Sequence, residues 1–303
     1  MNIAILGSSP LAAVVANRLV NAHPLHVVAE PWSRPLVEAG ATVMASLAEL
    51  ARRCDVIVVC AASMAEARER LLGRGGVCEG LSAGKIVIDQ TVGDPDDAST
   101  LSAALGKLGV RLIDAPMHFE QIEALHDTSA ILCGGPSDAF AAVRPVLDAI
   151  GPKVVHCGES AGCGQAARLV VAIVAACNRM VTYECAAMGL RNGLSVTDMA
   201  TVLNRCSGAN SGTARVLPAL AAGGRSADVP LDSVVDDLTR ASRLAIQVGA
   251  PMLIGNLVRS LLQAESNALG ASAHLDDTFR VFSNAVGSHA ANCGSNLSSL
   301  PGA

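Results

Sequence analysis

Aromatic residues are scarce in this chain: four Phe, one Tyr and one Trp among 303 residues, against a hydrophobic content of 51%. The core must therefore be assembled from Ala, Val, Leu and Ile, which suit close helix packing and parallel sheets. A basic balance is missing too. The 22 Lys and Arg against 27 Asp and Glu leave a net charge of −5, which argues against a nucleic-acid partner, since that would need a cationic face. The longest unbroken apolar run, 169–177, falls short of the ~20 residues needed to cross a bilayer, so no membrane partner is expected. The start, Met1-Asn2-Ile3-Ala4-Ile5-Leu6-Gly7, lacks the cationic segment of a secretory signal. There is no CxxC, HxH or HExxH arrangement among the cysteines and histidines, and no metal site is expected. The ten cysteines are scattered, with Cys60, Cys133 and Cys177 inside apolar runs. They read as reduced thiols of a cytoplasmic protein.

What is present has a clear order. A chain of this length allows roughly two domains. Short apolar runs at 2–6, 25–29, 56–60, 85–88, 111–113, 130–133 and 154–156 alternate with helix-like stretches at 11–21, 47–52, 65–72, 97–108 and 138–150. That alternation predicts an α/β fold, a Rossmann-like, doubly wound parallel sheet over residues 1–158. Beyond Gly158 the strand-like runs stop, and helical periodicity covers 164–190, 196–206, 231–248, 252–264 and 277–285. Residues 159–303 are thus expected to form an all-helical C-terminal domain.

The first strand runs into Gly7-Ser8-Ser9-Pro10-Leu11-Ala12, at the turn where a dinucleotide fold receives pyrophosphate on backbone amides and a helix N-terminus. Only the first glycine of GxGxxG is kept: Ser9 and Ala12 hold the other two positions. The loop reads equally well as a nucleotide cradle or a plain strand-to-helix turn. Glu30, at the end of the second strand, suits hydrogen bonds to the adenosine ribose and disfavours a 2′-phosphate, so NAD is favoured over NADP. As a bland alternative it is an exposed loop acid. Arg34 offers the opposite, a partner for a 2′-phosphate. Trp32 fits either beside an adenine or in the packing.

Several phrases resemble the β-hydroxyacid dehydrogenases in order and spacing. They are 55–60 followed by Ala61-Ala62, then 84–89 with Thr91 and Pro95, then Leu112-Ile113-Asp114-Ala115-Pro116, then Gly134-Gly135. In the second half come Gly162-Cys163-Gly164-Gln165-Ala166-Ala167-Arg168, then 184–194, then Cys206-Ser207-Gly208. The resemblance spans nearly the whole chain. It implies NAD or NADP as cofactor, bound through Gly7, Ser8, Ser9, Pro10, Leu11, Glu30, Cys60, Ala61, Ala62 and Thr91. It also implies hydride transfer between the cofactor and a hydroxyl or carbonyl carbon. The apolar helix 169–177, more hydrophobic than a single exposed helix should be, predicts a homodimer or tetramer built through the helical half.

The departures from the family pattern concentrate in the site. Where the family has Val-Ser-Gly-Gly after Asp114-Ala115-Pro116, this chain has Met117-His118-Phe119-Glu120. At the place of the family's catalytic lysine stands Arg168, and at its Asn-Asn pair stand Val171-Ala172. A later lysine–aspartate pair is Asp236-Asp237. An arginine side chain does not give up its proton in a protein but can clamp an anion. A proton carrier is then needed, and His118 has the right chemistry. The candidate set is therefore Arg168 and His118 as catalytic residues, with Met117, His118, Phe119, Glu120 and Ala172 around a substrate. His118 and Glu120 as plain loop residues are the competing reading, and His126, Asn178 and Tyr183 are further polar candidates. The expected activity is oxidoreduction of a non-standard small substrate. The alternatives are an imine-reducing enzyme or a catalytically silent dinucleotide-binding module.

Overall fold

The computed structural model describes residues 1–118, 129–226, 229–270, 272–279 and 282. The chain divides into two units, Met1–Arg168 and Leu169–Ala303.

The first unit follows the alternation in the sequence. In order it contains β1 (Ile3–Leu6), α1 (Pro10–Leu19), β2 (Leu25–Val28), α2 (Arg34–Glu38), β3 (Thr42–Met44), α3 (Leu47–Arg53), β4 (Val56–Val59) and α4 (Met64–Leu72). It continues with β5 (Ile86–Asp89), α5 (Pro95–Gly106), β6 (Arg111–Asp114), β7 (Met117–His118), β8 (Ala130–Gly134), α6 (Ser137–Ile150) and β9 (Val154–Gly158). The strands lie in the order β3-β2-β1-β4-β5-β6-β8-β7, with β9 on β8. From β3 to β6 every pairing is parallel; β8 runs antiparallel to β6 and to β7, and parallel to β9.

Continuous apolar runs make sense in this sheet because both faces are covered. Ile3 and Ile5 enter one core cluster with Val15, Leu19, Val143 and Leu147, while Ala4 and Leu6 enter the other with Leu50, Leu71, Leu101 and Leu105. Local signals set the helix starts. Ser46 and Ser63 accept the amides of Glu49 and Glu66, capping α3 and α4.

Three elements escape the sequence pattern. β3 is a short, largely exposed edge strand, α2 is a five-residue helix, and β7 has two residues. None is long enough to show a period. Strand order reverses between β1 and β4, so the loops after these two strands flank the crevice where open α/β sheets bind ligands.

The second unit is helical. It holds most of α7 (Cys163–Arg191), then α8 (Val196–Asn204), α9 (Leu217–Ala221), α10 (Leu231–Gln247) and α11 (Leu253–Leu269). A π-turn at Gly212–Val216 precedes α9. The expected last helix, 277–285, is helical at 277–279 and 282, its other residues lying outside the described ones.

α7 is long and apolar enough to cross a membrane by length and composition, with a window hydropathy of 1.4. The central helix of a globular domain passes the same test. Here Ala176, Met180, Tyr183 and Ala186 of α7 enter the unit's own core with Val216, Leu238 and Leu262.

The first unit extends to Arg168, ten residues past the end of β9. The physical reason is a set of hydrogen bonds that ties the start of α7 to the sheet.

Candidate functional site

At the end of β1 the chain turns at Gly7 with φ of 140°. A Cβ there would fall on the Cys60 carbonyl, so only glycine lets β1 and β4 run this close at the switch point. Ser9 donates its amide to the Cys60 carbonyl at 3.1 Å. Trp32 donates its indole N–H to the Gly7 carbonyl at 2.8 Å and packs against the core, so it buttresses the loop.

The exposed side of the loop carries Ser8, whose hydroxyl donates to Glu66 Oε2 at 2.5 Å; the Ala62 amide donates to the same oxygen at 2.9 Å. Glu30 forms an ion pair with Arg70 at 2.5 Å, and Arg70 reaches Glu66 at 2.7 Å. The loops after β1, β2 and β4 are thereby joined through α4. Glu30 is no exposed loop acid. Arg34 faces solvent and pairs with Glu38.

The remaining cofactor candidates divide by burial. Leu11 and Cys60 have their side chains in the core, and burial pushes the Cys60 thiol well up, which keeps it inert. Ala61 donates its amide to the Thr91 hydroxyl at 3.2 Å, and Pro10 opens α1 at the surface. Leu11, Cys60 and Thr91 thus shape the floor from within, while Ser8, Pro10 and Ala62 are exposed above it.

Beside this crevice lies a layer of buried polar groups at the ends of β5 and β6. Asp89 accepts the Thr91 amide at 2.9 Å. Asp114 accepts the amides of Gly162 at 2.8 Å and Gln165 at 2.9 Å, so it caps the start of α7 from the sheet. Gln165, fully buried, donates to the Thr91 carbonyl at 2.7 Å and accepts the Gly93 amide at 3.2 Å. Gly164 has no room for a side chain, since a Cβ would meet the Leu132 carbonyl. Burial pushes both carboxyls up to about 6; the hydrogen bonds from Thr91 and from the α7 amides oppose this, and the charge of Asp114 adds to it at Asp89.

Arg168 stands three residues beyond Gln165 on the same side of α7, and only 4% of it is exposed. His118, half-buried, pairs with Ala130 on the outer strand β7. Met117 is a correction. Successive residues of a strand point to opposite faces, and Met117 turns into the core with Ile131 and Ile150, so its side chain does not line a substrate site. Phe119, Glu120 and His126 lie outside the described residues.

In the second unit Ala172 is half-buried on α7. Tyr183 is fully buried and donates to Asp276 at 2.8 Å, which places it in the helical core rather than facing a ligand. Asp236 is exposed on α10, and Asn178 is half-buried on α7, its backbone carbonyl accepting the Thr182 hydroxyl.

Glu66, Arg70 and Gln165 were not anticipated as site residues. A signal for the first two exists: Glu66 is the third residue after the cap Ser63 and four before Arg70. Gln165 carries no such signal, because its partners come from another strand end.

A switch-point crevice edged by a glycine turn and the start of α1 fits a dinucleotide-binding α/β protein. Residues 9–158 match the family model described as the NAD binding domain of 6-phosphogluconate dehydrogenase. Residues 162–282 match that described as the NAD-binding of NADP-dependent 3-hydroxyisobutyrate dehydrogenase. The chain belongs to the β-hydroxyacid dehydrogenase family and is an NAD(P)-binding dehydrogenase of that group.

It is 29% identical over 231 residues to the mitochondrial 3-hydroxyisobutyrate dehydrogenase of Mus musculus, covering 74% of this chain and 69% of that protein. It is 28% identical over 211 residues to the L-threonate dehydrogenase of Cupriavidus necator, covering 68% and 71%. Among solved structures, a 3-hydroxyisobutyrate dehydrogenase of Mycobacterium tuberculosis determined with L-serine has the same fold. The TM-score is 0.81 at 21% identity, over 92% of this chain and 98% of that one.

Proposed function

We propose that this protein oxidises a small hydroxy compound, or reduces the matching carbonyl, with Arg168 and His118 in place of the family's usual proton donor. The bound nicotinamide supplies or accepts the hydride. The observation that carries the reading is Arg168 itself. Arg168 is only 4% exposed and lies one helical turn beyond the layer that Asp114 and Gln165 form at the ends of β5 and β6. Its position on α7 is fixed by Gln165 and Asp114, one turn earlier.

Arg168 keeps its charge, so it steadies the substrate oxygen or clamps a carboxylate without moving a proton. In the oxidation direction the hydroxyl proton passes to the His118 imidazole as the C–H hydride leaves, and in reduction it returns. His118 faces away from Met117 on β7, the side opposite the core. The substrate is then a compound other than the simple 3-hydroxy acids, since the Ser-Gly-Gly that would hold their carboxylate is replaced. The exposed apolar residues of α7 and α11, among them Val170, Val174, Leu253 and Leu257, support assembly with a second copy through the helical unit. Light scattering checks this: a monomer would remove it.

The test of the activity follows NAD(P)H absorbance over a panel of hydroxy acids, polyols, carbonyl compounds and imines. Turnover on at least one hydroxyl or carbonyl compound, lost in Arg168→Ala and His118→Ala, supports the assignment. Saturable coenzyme binding with no turnover on any of them would sink it and leave a silent dinucleotide-binding module. Activity appearing on simple 3-hydroxy acids in Arg168→Lys would identify this position as the one that changed the substrate.

A further inference from the structure

We propose that Glu66 and Arg70 of α4, acting on Glu30, set the coenzyme preference of this protein against the 2′-phosphate of NADP. The inference rests on coenzyme binding at the crevice between β1 and β4, and adds which of the two coenzymes enters it.

The cluster joins parts far apart in sequence. Glu30 Oε1 meets Arg70 Nη1 at 2.5 Å, Arg70 Nε meets Glu66 Oε1 at 2.7 Å, and Glu66 Oε2 accepts Ser8 Oγ at 2.5 Å and the Ala62 amide at 2.9 Å. The side chains of Glu30, Arg70 and Glu66 are 15%, 21% and 23% exposed, so solvent screens them only in part. Partial burial alone would raise the Glu66 carboxyl, but hydrogen bonds from Ser8, Ala62 and Arg70, with the charge of Arg70, hold it below the usual carboxylate range. The Glu66 carboxyl is therefore ionised at neutral pH. Two carboxylates against one guanidinium leave the cluster with net negative charge, at the strand ends where a dinucleotide fold receives the adenosine ribose and the pyrophosphate.

A ribose with free hydroxyls donates to Glu30 and leaves the Glu30–Arg70 pair standing. A 2′-phosphate brings a near-dianion that accepts only. It would have to take Arg70 from two carboxylates already fixed in a charge-assisted geometry, beside the uncompensated acid. Arg34, the other cation of this region, is 89% exposed and pairs with Glu38 on the outer side of α2. Glu66 is the decisive partner because it holds Arg70 by Nε while touching the glycine loop through Ser8. Removing its charge frees the guanidinium and leaves the ribose acceptor Glu30 in place.

Calorimetry with NADH and NADPH on wild type, Glu66→Gln and Ser8→Ala reads this directly. Wild type is expected to bind NADH about tenfold or more tightly than NADPH. Glu66→Gln should narrow that ratio at least fivefold, through tighter NADPH binding with NADH nearly unchanged. Ser8→Ala, which loosens Glu66 without altering any charge, should narrow it less, in the same direction. It carries the comparison if a thermal melt shows that Glu66→Gln does not fold. A wild type that prefers NADPH, or variants that move both coenzymes by the same factor, would overturn the inference while leaving coenzyme binding intact. Heat from neither coenzyme in wild type would instead overturn the coenzyme reading, and this inference with it.

Discussion

Asp89 and Asp114 of the first unit and Asp276 of the second are all buried carboxylates, but their surroundings differ in kind. Asp89 and Asp114 face backbone amides at the ends of β5 and β6 and at the start of α7. Asp276 is met by the Arg179 guanidinium, the Tyr183 phenol, and the amide and hydroxyl of Ser226. The second arrangement is closed: each group answers another, and Phe279 packs against the Tyr183 ring at 5.3 Å. The first holds its acids on backbone amides and at raised affinity for protons. Arg168 stands one helical turn from the Gln165 that completes that layer. Buried charge answered by opposite charge fixes a fold, whereas buried charge answered by dipoles marks a place prepared for a ligand or a proton.

The largest effect should come from breaking the closed network. Asp276→Ala leaves Arg179 buried without its counter-charge and should cost about 3–5 kcal/mol of stability, read by urea unfolding. The coenzyme dissociation constant of the folded fraction should stay unchanged, and a change there would erase the distinction between the two regions. Arg168→Met tests the opposite side. It should lower kcat/KM by roughly 10²-fold, about 2–3 kcal/mol, with a small shift in melting temperature. A large loss of stability at unaltered kcat/KM would make Arg168 structural.

The acids give a pH signature of about 2 kcal/mol. The carboxyls of Asp89 and Asp114 titrate at about 6 when folded, above the ordinary carboxylate value. The native state therefore binds protons that the unfolded chain releases. Their stabilisation is complete below the unfolded value and is lost as pH rises through about 6. Urea midpoints at pH 5 and 7.5 should show the fall, and Asp89→Asn, which keeps the acceptor for Thr91, should flatten it. His26 works in the other sense. Burial on β2, then the charge of Arg53, lowers its pKa, so its contribution is present above the ordinary imidazole value and lost as pH falls below it. His26→Leu should accordingly make the acid side of the curve more stable. The smallest effect is local. Ser63→Ala removes the cap of α4 and should cost about 1 kcal/mol in a thermal melt, with a weakened hold on Glu66.

The first unit was legible because a parallel sheet covered on both faces writes itself as unbroken apolar runs, as in 56–59 and 86–88, separated by helical periods. Gly7 was legible because its turn must admit the Cys60 carbonyl. Met117 was misread because a two-residue strand has no period to show which side faces the core. The place of Tyr183 could not be settled by periodicity because its partner Asp276 lies far along the chain. Gln165 and the Glu30–Arg70–Glu66 bridge went unseen for the same reason.

The amino-acid order alone fixed the sheet, the helical second half, the glycine turn and the family, since these follow from periodicity and local backbone demands. Which acids are buried together, which arginine each one holds, and that Met117 turns inward while His118 does not were decided only by the folded chain. Charges and hydrogen bonds act over a few ångströms in space, whatever the distance along the sequence.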